Sequence, residues 1–203
     1  QGQQVQNGIL PVQHLQQAIH DGMILADHPI SAAQLQPASL DLRLGLDAWR
    51  VQASFLPGSK MTVADKLAKF AMHKIDLADG AVLERGCVYI VRLQESLALP
   101  RGVSAMANPK SSTGRLDIFT RLICDHATEF ESVADGYKGP LYAEISPRTF
   151  SVLVRAGSRL SQLRLRRGQA NVSDDAMQSL HTVVGLVHGD GRGEVDIQDG
   201  VGL

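Results

Sequence analysis

From Gln36 onward, apolar residues recur mainly at every second position, in short runs broken by Gly, Pro or Asp. QPASLDLRLG alternates Leu40, Leu42 and Leu44 with Asp41 and Arg43, the period of a half-buried strand, and DAWRVQ continues it or returns as its hairpin partner. HKIDL, AVLER, CVYIVRL, VSAMAN, IFTRLIC, PLYAEIS, FSVLVR and RLSQLRLR carry the same signal at short intervals, the pattern of an all-β barrel or sandwich. Helical spacing is confined to small pieces. Pro11 opens one helix, with Val12, Leu15 and Ile19 on a single face and Gly22 as its stop. TVADKLAKF forms a second, with Thr62 as N-cap and Asp65 three residues on. Asp174 to Leu180 is a third candidate. The chain therefore reads as a disordered polar arm over 1–8, one β domain with small helical additions over 9–170, and a helix with a Gly/Asp-rich connector over 171–203.

Composition narrows the function. At 203 residues the chain is long enough for one good core, or one core plus an appendage, and its charges almost cancel, at −1. That balance argues against a protein that coats nucleic acid, whose affinity rests on many phosphate contacts. It allows one small polyanion held by a local basic cluster. No apolar run reaches membrane-spanning length, and QGQQVQNG has neither the basic nor the apolar region of a signal peptide. A cytoplasmic location is expected, with Cys87 and Cys124 as buried, reduced thiols inside apolar runs. Zinc nucleobase deaminases use an H-x-E together with a C-x-x-C; neither occurs here, so no zinc site is expected.

Three segments carry candidate chemistry. KSSTGR places Lys110, Ser111, Ser112, Thr113, Gly114 and Arg115 between two strands. Backbone amides, hydroxyls and cations there suit a phosphate chain, and equally an exposed turn. In GYKGPLYAEIS, Leu141 and Ala143 fall on one face and Tyr142 and Glu144 on the other. Glu144 is either solvated or held in a cleft where it can transfer protons. In GSRLSQLRLRRG, Leu160, Gln162, Arg164 and Arg166 share one side, a wet face on which Gln162 can read a base edge, or a plain exposed face.

Together and in this order, these segments resemble the deoxycytidine triphosphate deaminase branch of the dUTPase-like superfamily. QPASLDLRLG is similar to its P-A-S-x-D-L-R-L-G strand and KSSTGR to its [RK]-S-S-x-x-R motif. GYKGPLYAE is similar to its G-[WY]-x-G-x-x-x-x-E segment and GSRLSQL to its G-x-x-[IL]-x-Q-L. The resemblance spans roughly residues 9 to 170. It implies a distorted jelly-roll-like β fold, a homotrimer with active sites between subunits, and zinc-free deamination of dCTP to dUTP and ammonia, with magnesium accompanying the triphosphate. It also implies roles. Glu144 is the general base and proton shuttle, Ser111 holds the attacking water or the developing C4–O bond, and Arg115 places positive charge near ring and phosphates. Lys110 and Ser112, with the loop amides through Thr113 and Gly114, grip phosphate; the carbonyls around Tyr142 and Ala143 accept from the cytosine amine; Gln162 contacts the nucleotide. Two other readings are a non-catalytic nucleotide-binding module and a dUTP diphosphatase.

The match departs in places. Where the diphosphatase branch holds its water with an Asp, and many deaminases contact the sugar, this chain has Ala134, with Asp135 one position along. Asp135 or Asp125 is a candidate substitute. DHATEFESVAD is longer than the usual deaminase link, and His126 within it reads as a surface residue. No closing arm with a Tyr, a Lys and a Gln follows Val183; HGDGRGE reads as a connector toward a related second half, which would make a pseudo-trimeric assembly.

Overall fold

The structure is a computed structural model and describes residues 8–168. The expected helix over Asp174–Leu180, the connector and most of the polar arm lie outside these residues. In chain order, β1 (Gly8–Ile9) precedes α1 (Val12–His20), β2 (Ile24–Ala26), a 3-10 turn (Ala32–Gln34) and β3 (Leu35–Gln36). Then come β4 (Ser39–Leu42), β5 (Leu44–Val51), α2 (Val63–Phe70), β6 (Ala71–Asp76), β7 (Ala81–Leu83) and β8 (Val88–Ala98). The rest are β9 (Val103–Pro109), α3 (Ser111–Arg115), β10 (Ile118–Cys124), β11 (Ser132–Val133), β12 (Lys138–Pro147), β13 (Val152–Val154) and β14 (Ser161–Arg167). The fold is thus mostly β with small helices. Thr62 caps α2 as its sequence indicates, accepting from the Asp65 amide while the Asp65 carboxylate accepts from the Thr62 amide.

Two six-stranded sheets dominate. One runs β11-β9-β14-β4-β3 with β1 beside β14; the other runs β10-β12-β8-β5-β6 with β2 beside β8. Leucines at alternate positions of β4 and β14 (Leu40, Leu42, Leu163, Leu165) share a core with Val91, Leu93, Ala143 and Ile145 of β8 and β12. The opposite face of the second sheet is also buried. Ile90, Ile123 and Tyr142 pack there against Val63 and Leu67 of α2. Burial on both faces is why VYIVRL and PLYAEIS read as nearly continuous apolar runs.

QPASLDLRLG corrects the expectation of a half-buried strand. All four residues of β4 are buried, Asp41 among them. Arg43 breaks the strand and turns onto Glu95 of β8. Its Nε donates to Oε1 at 2.8 Å and its amide to Oε2 at 2.8 Å, while Gln34 donates to Oε1 at 2.9 Å. Glu95 is fully buried, so each donor offsets part of its lost hydration. Beside it, a Cβ on Gly45 would come within 2.7 Å of the Arg92 carbonyl, which only glycine accommodates. Arg43→Ala leaves the buried carboxylate without its counter-charge, and we expect a loss of about 3–5 kcal/mol in urea unfolding. Replacing Arg43 and Glu95 together by apolar residues is expected to lose less than the single change.

Cys124 is buried and Cys87 partly exposed, and both are free. Burial pushes the Cys124 thiol up to about 12.

Candidate functional site

Three of the four sequence motifs meet in one cleft. β14 lies between β9 and β4, with Gln162 opposite both Asp41 and Asn108. That order gathers Ser39, Asp41, Lys110, Ser111, Gln162 and Arg164 around a space of about 410 Å³. KSSTGR is a helical turn here rather than an open loop. Leu160, from the fourth motif, anchors it: its carbonyl accepts from the Lys110 amide at 2.9 Å and from the Thr113 hydroxyl at 2.7 Å. Thr113, expected to bind substrate, is consequently buried and its hydroxyl engaged within the fold. Ser111, Ser112, Gly114 and Arg115 are exposed.

Charge in the cleft favours an anion. Lys110 Nζ is held by the Asp41 carboxylate, and Arg159 lies 3.7 Å from the same oxygen. Arg164 is, with Lys110, a cation of the lining itself. The other Asp41 oxygen, Oδ1, is buried without a hydrogen-bond partner among the described residues. These groups fit magnesium carried on a phosphate chain, because the ion prefers phosphate oxygens, water and one or two carboxylates. Asp41 Oδ1 is the oxygen this cleft can add. Among the described residues, no three His, Cys, Asp or Glu cluster as a metal site.

Glu144 belongs to the other sheet. On β12 it faces Arg121 of β10 across the ladder and is 2% exposed. Oε2 accepts from Arg121 Nε at 2.9 Å and from Ser54 Oγ at 3.0 Å, and Arg121 Nη2 donates to Ser54 Oγ at 2.8 Å. Neither Ser111 nor Arg115 is among its hydrogen-bond partners in the described residues. Tyr142 turns into the second core cluster, and Ala143 into the main one. Both lie on a strand paired along both edges, with a register shift between Pro140 and Tyr142 at the edge toward β8.

Where β10 ends, Cys124, Asp125, His126, Ala134 and Tyr137 help line a cavity of about 360 Å³. Tyr137, just ahead of β12, donates to the Pro140 carbonyl at 2.7 Å and accepts from the Asp125 amide at 3.1 Å. The turn needs Gly139, whose Cβ would lie 2.7 Å from the Tyr137 hydroxyl at a φ of +156°. Asp135 points elsewhere and accepts from the Gly102 amide at 3.0 and 2.9 Å. Of the two candidate substitutes for the missing Asp, Asp125 is the one at the cavity, its Oδ1 accepting from the Val63 amide at 2.8 Å. His126 is exposed at the same place.

Glu131 follows in the long link. Burial pushes its carboxyl up to about 7, against a Leu122 backbone hydrogen bond and the Arg121 cation, which both lower it. The folded chain thus holds this proton more tightly than the unfolded chain. The stability it contributes is complete below the ordinary value of 4.5 and is lost as pH rises through about 7. Urea midpoints at about pH 5 and about pH 8 are expected to differ less in Glu131→Gln than in the parent.

The family described as the 2'-deoxycytidine 5'-triphosphate deaminase N-terminal domain matches residues 6–169. The chain belongs to this family. A dCTP deaminase crystal structure from Agrobacterium tumefaciens is 54% identical with a TM-score of 0.78, covering 87% of this chain and 53% of that one. The dCTP deaminase of Halorubrum lacusprofundi is 33% identical over 132 residues, 64% of this chain and 62% of its own. A dUMP-forming dCTP deaminase from Nanoarchaeum equitans is 27% identical over 157 residues, 68% of this chain and 74% of its own. The chain thus spans about half of the Agrobacterium deaminase and less than two thirds of the Halorubrum one.

Within this deaminase-family domain, motif reading missed Ser54 and Arg121, and it included Tyr137 as the aromatic of GYKGPLYAE without giving it a role. Arg121 left a trace: it is the lone charge in IFTRLIC, as Glu144 is in PLYAEIS. Ser54 left none, because only the chain's return path brings it to β12.

Proposed function

We propose that this chain carries out hydrolytic deamination of dCTP to dUTP and ammonia, with Glu144 as the proton shuttle, in a site assembled between subunits of a homotrimer. One observation carries the reading: a carboxylate 2% exposed inside a sheet, held by two donors. Keeping a charge there is costly, and a fold that has no use for it loses little by an apolar residue.

The reaction needs such a group. Water must lose a proton to attack C4 of the cytosine, and the amino group leaves only once protonated. Glu144 takes the proton from water as the C4–O bond forms and delivers it to the ring nitrogen. A second proton from the bound hydroxyl passes by the same carboxyl to the amine, the C4–N bond breaks, and ammonia departs with C4 left as a carbonyl. A carboxylate in a partly dry site is suited to both transfers. Zinc is not required by this scheme, in keeping with the absence of its ligand motif from the sequence.

The cleft with Lys110, Ser111, Gln162 and Arg164 would receive the triphosphate and its magnesium. Ser111 and Arg115 would hold the water and the developing charge. In one chain, Arg115 lies ahead of β10, while Glu144 pairs three residues inside that strand, about 10 Å farther along. A neighbouring subunit's KSSTGR turn closes that gap.

Incubating the protein with dCTP and magnesium and following ammonia, pyrophosphate and the nucleotide product tests the reading. Ammonia with dUTP is the expected result. Nucleotide binding without ammonia would instead mark a binding module. Ammonia with pyrophosphate and dUMP would add the diphosphatase step, against which Ala134 argues.

A further inference from the structure

We infer that Arg121 is a positioning residue for the deamination: with Ser54 it fixes one carboxylate oxygen of Glu144, Oε2, and reserves the other, Oε1, for proton exchange. The inference rests on the deaminase reading. Oε2 receives both short hydrogen bonds, from Arg121 Nε and Ser54 Oγ, whereas Oε1 has only Arg121 Nη2 at 3.5 Å, the limit of a useful contact. Because Nη2 also donates to Ser54, the three side chains close a ring that stops the carboxylate from rotating. A carboxylate left to spin about its last bond would present either oxygen, at any angle.

The guanidinium is itself immobilised. Its central carbon lies 3.4 Å from the centre of the Phe130 ring and 4.9 Å from that of Phe119. Planar stacking and a forked set of donors are properties of arginine that lysine lacks, and its charge is permanent at working pH. Phe130 belongs to the long link, and its neighbours Glu129 and Ser132 line the 360 Å³ cavity. Arg121 thus ties the proposed base to the wall of the adjacent cavity through one rigid side chain.

Misplacing a reacting group by about 1 Å costs roughly 10²-fold in rate. Arg121→Ala is therefore expected to lower kcat for ammonia release by roughly 10²-fold with KM changed little. Arg121→Lys restores charge without the fork and should recover only part of the rate; added guanidinium should raise the rate of Arg121→Ala. A reading independent of turnover is the Arg121 Nε–H resonance in a nitrogen-15 spectrum. It should exchange slowly in the parent and quickly in Glu144→Ala. Parent-like or faster kcat in Arg121→Ala, or a rise in KM alone, overturns the assignment, as does a fast-exchanging Nε–H in the parent. Ammonia release by the parent alongside any of these leaves the deaminase reading standing. A parent that shows the slow resonance but releases no ammonia sinks the reading and, with it, the catalytic role.

Discussion

Glu144→Gln is expected to lower ammonia release from dCTP by roughly 10²–10⁴-fold, the usual contribution of a positioned acid–base group. The fold should survive. A glutamine oxygen at the same place still accepts from Arg121 and Ser54, and Arg121, 27% exposed, retains contact with water. Nucleotide should still bind, because Lys110, Gln162 and Arg164 line a cleft that does not include Glu144. Steady-state ammonia release, an unfolding curve and a dCTP titration on the same preparation check all three. Turnover within a few-fold of the parent would remove Glu144 from the chemistry.

The second large effect is a recovery. Arg115→Ala and Glu144→Gln are each expected to be nearly inactive alone. Co-expressed so that subunits mix, they should regain a substantial fraction of parental activity, because some sites then combine an intact Glu144 with an intact Arg115 from the neighbour. The expectation follows from where the two residues sit. Arg115 is exposed at the end of α3, whereas Glu144 is buried within β12 and touches Arg121 and Ser54. Removing a donor to developing charge typically costs about 10²–10³-fold, so either parent gives a low baseline. Mixed assemblies that remain inactive, measured by ammonia release after tandem purification on two tags, would place the whole site within one chain.

The β architecture was legible because its cause is local. A strand with one face in the core alternates, and turns need Gly, Pro or Asp, so the runs from HKIDL to RLSQLRLR appear as strands where expected. The Thr62 cap was legible for the same reason. Asp41 was misjudged because alternation tells which residues share a face and not what covers it. Here Lys110 and Arg159 cover it with charge. The role of the Thr113 hydroxyl was not legible, because a hydroxyl in a motif can serve the turn as readily as a ligand, and here it donates to the Leu160 carbonyl.

By itself, the sequence determined which chemistry-bearing groups the chain owns: four ordered motifs, the strand positions of Glu144 and Gln162, and the family they indicate. Those follow from residue identity and short-range periodicity. Only the tertiary structure decided which groups meet. Strand pairing over long sequence separations set Gln162 beside Asp41, brought Ser54 to Glu144 from 90 residues away, and gave Glu144 the hydrogen-bond partners Arg121 and Ser54 rather than Arg115 among the described residues. Such neighbours depend on the order of strands in a sheet, which cores and ladders settle together and no local pattern encodes.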